Sequence, residues 1–304
     1  MNALRVWLGP DDAPELRAAV GRAGGELVAP REATVIVWSA RDEDPAMLLD
    51  LLHDGVQLVQ LDSAGIDHLL DAGLIDDRRA WAAAQGAYAD ALAEHALALL
   101  LAAAKRLPLV ARERAWSAPR SRRLAGSTVA VVGAGGIGTR LIELLAPLAV
   151  ATVAVTRSGG TVHGATRSLG PEALTDALRE CDYAVLSAPL TPATARLIGA
   201  AELDLIGPEG WLVNVGRGAV VDTDALVEAL ASGRLGGACL DVTEPEPLPA
   251  GHQLWSLPNA LVTPHASNPW DDHFAALATR VEENLHRFRD GLPLVGLVER
   301  ERGY

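Results

Sequence analysis

The sequence predicts an α/β protein built from two doubly wound, parallel sheets. Three observations carry this. Short apolar segments alternate with amphipathic ones in two separate series along the chain. The apolar segments are hydrophobic throughout rather than at every second residue, as expected of strands covered on both faces. A glycine-rich turn, "GAGGIG" at 133–138, falls where a strand hands over to a helix.

The first series opens with strand "ALRVWL" (3–8) and helix "APELRAAVGRAGG" (13–25), which stops at glycine. Strand "ATVIVW" (33–38), helix "PAMLLDLLHDG" (45–55) and strand "VQLVQL" (56–61) complete a small α/β domain near residues 1–90. The segment "YADALAEHALALLLAAAKR" (88–106) is apolar nearly all round. Such a helix is expected to be buried between domains or subunits. The second series runs strand "STVAVVG" (127–133), helix "GIGTRLIELLAPL" (136–148), strand "ATVAVT" (151–156) and helix "GPEALTDALRE" (170–180). Strands "YAVLSAP" (183–189) and "GWLVNVG" (210–216), helix "DTDALVEALASG" (222–233), and strands "GGACLDV" (236–242) and "ALVTPH" (260–265) follow. This is a second doubly wound sheet. The tail places Phe274, Leu277, Ala278, Val281, Leu285 and Phe288 on one helical face, expected to return to the first domain.

Composition narrows the function. The chain has 304 residues, 49% of them hydrophobic and 21% charged, enough for two folded domains. A net charge of −13 argues against nucleic acid, because phosphate binding needs clustered cations. The basic run "RSRR" (120–123) is short and reads as a solvated loop. No signal peptide is evident at the N-terminus, and the apolar "ALALLLAAA" (96–104) is too short for a bilayer. Neither Cys181 nor Cys239 has metal-ligand spacing, so buried thiols in a reducing cytoplasm are expected and a metal site is not.

The residues with chemical potential cluster at strand ends. In the glycine turn, Gly133 permits the tight bend, Gly135 lets backbone approach a pyrophosphate, and Gly138 lets the helix pack on its strand. The helix N-terminus beyond it offers free N–H groups to phosphates. Ligands of open α/β sheets bind outside the carboxyl ends of strands, and a cleft between two such domains is the default ligand site. Arg217 lies in a glycine-flanked turn after one strand, Asp241, Glu244 and Glu246 follow another, and His265 follows a third behind Pro264. An Arg, a carboxylate and a His on one edge suit a 2-keto or 2-hydroxy acid: Arg grips the carboxylate, and His moves a proton at the carbonyl oxygen. A neighbouring carboxylate raises the His pKa and orients its ring; Glu244 and Glu246 are both placed for this.

These segments resemble the D-isomer-specific 2-hydroxyacid dehydrogenases over nearly the whole chain. The resemblance rests on "SAGIDHL" (63–69), "LAEHALALLLAAAKRLP" (92–108), "VAVVGAGGIG" (129–138) and "SAPLTPATARLIG" (187–199). It continues in "LVNVGRGAVVDTDALVEAL" (212–230), "ACLDVTEPEPLP" (238–249) and "LWSLPNALVTPHAS" (254–267). It implies a flavodoxin-like outer domain made from both chain ends, 1–92 with 270–304, and an inserted Rossmann dinucleotide-binding domain, 93–269. It also implies a homodimer and a small-molecule acid as substrate. Carried over by motif, Arg217 binds substrate, Glu246 partners the catalytic His, and His265 is the acid/base. The resemblance gives the cofactor to Gly133, Gly135, Gly136, Ile137 and Gly138, to Pro189, and to Val215 and Gly216, with Asp241 at the nicotinamide carboxamide. The backbone of Ala64 and Gly65 would hold the substrate carboxylate. Two departures stand out: Gly136 replaces a frequent Arg, and "VTE" replaces the commoner "V-F-x" after Asp241.

Within the family, "VIVWSARDEDPAML" (35–48) and the Arg157-Ser158 strand end are most like the glyoxylate/hydroxypyruvate reductases, which would put Trp38 and Trp270 at the substrate. An NAD enzyme would carry an acid near Arg157 to bind the ribose 2′-OH. Arg157 and Ser158 instead suit a 2′-phosphate, so NADP(H) is the preferred cofactor expected, with NAD(H) as a second choice. The expected reaction is reduction of a short 2-keto acid. The rivals are formate- or phosphite-type oxidation on the same fold, against which Glu246 argues, and a non-enzymatic dinucleotide sensor.

Overall fold

A computed structural model describes residues 3–40, 45–113, 116 and 121–303. The stretch 41–44 of "VIVWSARDEDPAML", Arg120 of the basic run, and the side chain of Trp270 lie outside what is described. The chain divides into two units: Met1–Tyr88 with Asn268–Tyr304, and Ala89–Ser267. The sequence reading sets these boundaries at 92/93 and 269/270.

The first unit holds β1 (Leu4–Pro10), α1 (Pro14–Arg22), β2 (Gly25–Leu27), β3 (Val35–Ser39), β4 (Leu58–Leu61), α2 (Asp67–Asp71) and β5 (Ala80–Ala82). Helix α1 starts where Pro14 needs no N–H partner, and stops before Gly24, whose φ of 73° only glycine adopts freely. The strands pair in parallel in the order β2-β1-β3-β4-β5, the flavodoxin-like arrangement. One face of this sheet carries Ile36, Trp38, Val59 and Leu61 onto Leu48, Ile66 and Leu69.

The second unit holds α3 (Ala89–Ala104), α4 (Leu107–Glu113), β6 (Thr128–Val132), α5 (Gly136–Leu145), β7 (Ala151–Val155), β8 (Arg167–Leu169), α6 (Leu174–Glu180) and β9 (Tyr183–Leu186). It continues with α7 (Ala200–Ile206), β10 (Trp211–Asn214), α8 (Thr223–Ser232), β11 (Gly237–Leu240) and β12 (Ala260–Val262). The seven strands are all parallel, ordered β12-β11-β10-β9-β6-β7-β8. Numbered within the unit this is 3-2-1-4-5-6 with one strand added, the Rossmann order. Alternation along β6 divides the core. Val129 and Val131 point toward α3 and α5, and Ala130 and Val132 point toward α6, α7 and α8. Helix α3 is thus buried on its own sheet and α5, with Leu101 left exposed. Among the described residues no helix is long and apolar enough to cross a membrane.

The long helix α9 (Trp270–Arg289) belongs to the first unit and packs on α1. Its Leu277, Val281 and Leu285 are fully buried.

The structure departs from the sequence expectations at several elements, among them the short helices α2, α4 and α7, for which no helix was expected. Residues Pro45–Leu51 form a 3₁₀ helix rather than an α-helix. Leu48 is buried and Leu51 packs against the same cluster, a three-residue spacing that matches three residues per turn. Strands β2, β5 and β8 were not expected. Each has three residues and each is an edge strand; β2 (GEL) and β8 (RSL) leave no apolar run, and β5 (AWA), though apolar, is too short to mark itself as a strand.

A polar knot ties α9 to the first sheet. Asn284, 1% exposed, donates to Gln60 Oε1 (2.6 Å) and to the Val295 carbonyl (2.9 Å), and accepts from the Val295 N–H (2.8 Å). Buried Gln60 in turn donates to the carbonyls of Leu61 and Ala82. Asn284→Leu should strand these three groups and cost roughly 3 kcal/mol or more, at ~1–3 kcal/mol for each buried unpaired group. Urea unfolding followed by tryptophan fluorescence checks this; an unchanged midpoint would show the knot to be dispensable.

Candidate active site

Because all strands of the second unit run in parallel, their carboxyl ends share one edge. Gly133 follows β6, Arg157 follows β7, Pro189 follows β9, Arg217 follows β10, Asp241 follows β11 and His265 follows β12. The strand order reverses between β6 and β9, the switch point where crevices open.

The glycine turn divides into two kinds of glycine. Gly133 has φ +94°, and a Cβ there would lie 2.5 Å from the Ala188 nitrogen. A Cβ on Gly138 would lie 2.5 Å from the Gly133 carbonyl oxygen. Protein packing alone demands both. Gly135 is different: it is exposed, and a Cβ there would meet nothing within 4 Å. Its open side, ahead of the ten-residue helix α5, fits a pyrophosphate laid against bare backbone. Gly136 is exposed beside it and Ile137 half-buried. Across the switch point Ser187 donates to the Gly133 carbonyl at 2.7 Å, and Pro189 is exposed. After β7, Thr156–Gly159 form a turn on which Arg157 and Ser158 are exposed.

Arg217 is set by its neighbours. Asn214, 1% exposed, donates from Nδ2 to the Arg217 carbonyl at 2.9 Å and accepts the Gly216 N–H at 3.0 Å. Val215 and Gly216 are buried. A Cβ on Gly216 would approach the Ala188 carbonyl oxygen to 2.7 Å, and one on Gly218 would overlap the Thr243 carbonyl at 2.0 Å. The two glycines therefore let the Arg217 turn lie between the loops after β9 and β11.

Glu246 and His265 meet. Glu246 Oε1 stands 2.6 Å from His265 Nδ1, a length typical of a charge-assisted hydrogen bond. The bond to Glu246 raises the His265 pKa against the opposing effects of burial and of Arg217, and the Asp241 charge adds to the rise. The same bond holds the Glu246 carboxyl below its ordinary range. Thr243 builds the turn: its N–H reaches Glu246 Oε2 at 3.3 Å and its hydroxyl donates to the Pro245 carbonyl at 2.9 Å. The "VTE" departure thus has a structural role. Glu244 is exposed; its carbonyl accepts from the Thr223 hydroxyl at 2.8 Å.

Asp241 sits beneath this pair with its side chain fully buried. Oδ1 accepts from the Thr263 hydroxyl (2.6 Å), the Ala266 N–H (2.9 Å) and His95 Nε2 (3.2 Å), and Oδ2 from the Ser267 N–H (3.2 Å). Burial alone would raise its pKa, but these bonds outweigh it and hold the carboxyl well below the usual range. In this structure its partners are protein groups rather than an open groove.

The three other expected residues lie in the first unit. Ala64 and Gly65 are half-buried between β4 and α2. Trp38 is 5% exposed and stacked on Trp7 with ring centres 6.3 Å apart, within the core of that unit. The sequence reading passed over Asn214, Thr243, Thr263 and His95. The first three lie within three residues of expected site residues, and His95 is a polar residue in an apolar helix; those were the available signals.

A family model for the D-isomer specific 2-hydroxyacid dehydrogenase NAD binding domain matches residues 97–267. The glyoxylate reductase of Aeropyrum pernix is 36% identical over 230 residues, covering 71% of this chain and 68% of that one. The structure of a D-isomer specific 2-hydroxyacid dehydrogenase from Xanthobacter autotrophicus Py2, in complex with NADPH and MES, superposes with a TM-score of 0.87. It is 27% identical and covers 100% of both chains. An NADPH-dependent glyoxylate/hydroxypyruvate reductase from Sinorhizobium meliloti, in complex with NADP and sulfate, gives 0.83 at 26% identity, over 99% of this chain and 100% of that one. The match reaches from the last turns of α3 to the segment that carries His265, and on it this protein belongs to the D-isomer specific 2-hydroxyacid dehydrogenase family.

Proposed function

We propose that the protein is an NADP(H)-preferring reductase of short 2-keto acids, of the glyoxylate or hydroxypyruvate type, giving D-2-hydroxy acids. The observation that carries this is the 2.6 Å His265–Glu246 pair on the edge that also presents Arg217 and the glycine turn. Gly133, Gly135, Gly136, Ile137 and Gly138 would hold the pyrophosphate, and Pro189, Val215, Gly216 and Asp241 complete the assigned cofactor site. The dinucleotide, when bound, supplies the hydride.

The chain's own groups do the rest. Arg217 grips the substrate carboxylate with its planar fork and stabilises negative charge developing on the carbonyl oxygen. His265 donates its proton to that oxygen. Glu246 keeps the imidazole protonated and turned by holding Nδ1, which leaves Nε2 to face the substrate. Arg157 and Ser158 take the 2′-phosphate, where an acid would repel it. The same reading makes the protein a cytoplasmic homodimer. Burial pushes the Cys181 and Cys239 thiols up to about 12, which suits a reducing compartment. Leu101 and Leu107, exposed near the junction of α3 and α4, suit a subunit contact.

Three measurements test this reading. Steady-state assays of His265→Ala with glyoxylate and NADPH should show a loss of about 10²–10⁴-fold in kcat with NADPH binding retained; near-normal turnover would remove His265 from the mechanism. Glu246→Gln takes away the interaction that favours imidazolium, so His265 should lose its proton at lower pH. The upper limb of the pH–rate profile for reduction should therefore move to lower pH. A profile that stays put would show that Glu246 does not tune His265. Arg157→Asp should reduce the kcat/KM preference for NADPH over NADH by roughly tenfold or more, since one charge-assisted hydrogen bond is worth ~1.5–3 kcal/mol. A wild type that favours NADH, or a ratio indifferent to the change, would count against the cofactor assignment.

A further inference from the structure

His265 does not rest in an ordinary backbone conformation. Its φ is +50°, in the left-handed region that non-glycine residues seldom occupy. Something must hold it there, and the neighbouring bonds show what. The N–H of His265 donates to the Asp241 carbonyl at 2.9 Å, that of Ala266 to Asp241 Oδ1, and that of Ser267 to Asp241 Oδ2. Three successive main-chain donors thus converge on one residue. The Thr263 hydroxyl closes the loop from the other side at 2.6 Å.

One of the named donors comes from elsewhere in the fold. His95 lies in the second turn of α3, and its Nε2 is 3.2 Å from both Asp241 Oδ1 and Thr263 Oγ1. The tautomer follows from chemistry. An ionised carboxylate only accepts, so His95 Nε2 carries a hydrogen. The Thr263 hydrogen is already directed at Asp241, so its oxygen also accepts from His95. The imidazole N–H is therefore shared between the two groups that clamp the His265 segment.

We propose that His95 is a positioning residue: through Asp241 and Thr263 it anchors the segment bearing His265 to helix α3, and so holds the His265 ring against Glu246. The importance of this for turnover rests on the function proposed above, but the anchoring itself does not. Removing the His95 donor leaves a buried carboxylate short of a partner, and the segment can satisfy it only by shifting. The charged groups that act on His265 are Glu246, Arg217 and Asp241. The contact to Glu246 is the one that depends most steeply on where the ring sits.

The test is read on the whole protein by histidine-selective NMR titration, with the His265 signal assigned through His265→Gln. In the wild type His265 should titrate above an ordinary histidine. In His95→Leu its midpoint should fall toward the ordinary value, and in His95→Gln, whose amide can donate to the same two oxygens, it should stay near the wild-type one. Thr263→Val, which removes the other shared partner, should behave like His95→Leu and serves if that variant does not fold. An unmoved His265 midpoint in His95→Leu or, in its place, Thr263→Val, or a His95→Gln midpoint that falls as far as that of His95→Leu, overturns the proposal. Turnover of glyoxylate with NADPH adds a second readout. His95→Leu should lose roughly tenfold or more in kcat, within the ~10²-fold that a 1 Å misplacement costs. An active His265→Ala would defeat the functional reading while leaving the titration result standing, so the two failures are separable.

Discussion

A carboxylate with no surface in water must be surrounded by donors or give up its charge. Asp241 keeps its charge, and its donors are the residues that shape the edge of the second sheet that carries His265. Satisfying that single group fixes residues 263–267 and with them the left-handed bend at His265. The same loop after β11 continues into Thr243, whose bonds bring Glu246 round to the imidazole. The Arg217 turn then lies on Thr243, because Gly218 has no side chain to hold it off. The three polar residues of the site are in this sense one structure, assembled outward from a buried charge.

The glycines around it answer to two different demands. Those at 133, 138, 216 and 218 are required by close backbone approaches within the protein. Gly135 has no such neighbour, and the space beside it is open. A sequence pattern of glycines cannot separate these cases. The fold does, since the space beside each missing Cβ is either filled or open.

Much of the architecture was legible because it follows from covered, all-apolar strands and from turns that only glycine makes. Strands such as 128–132 and 211–214 announce themselves, and "TPH" and "GRG" sit visibly at strand ends. The edge strands β2 and β8 did not, because three residues at a sheet margin need no apolar pattern, and β5, apolar throughout, is too short to stand out as a strand. The 3₁₀ segment at 45–51 cannot be told from an α-helix in the sequence, because its leucines suit either period. Within the site, Glu246 was distinguished from Glu244 by motif rather than by physics; the structure adds the 2.6 Å contact. The link from His95 to Asp241 was not legible at all, since it joins a helix and a loop that are adjacent only once the sheet has formed.

The division of the first unit between the two ends of the chain bears on how the protein is made. Synthesis delivers residues in order, and domains fold as their sequence becomes available. The second unit, Ala89–Ser267, is complete before any of α9 exists. Until then α1 lacks the partners that Leu277, Val281 and Leu285 will provide. Gln60 waits for Asn284, and Trp81 waits for the Val298 N–H. A chain made in this order has a complete second unit while the first still lacks α9.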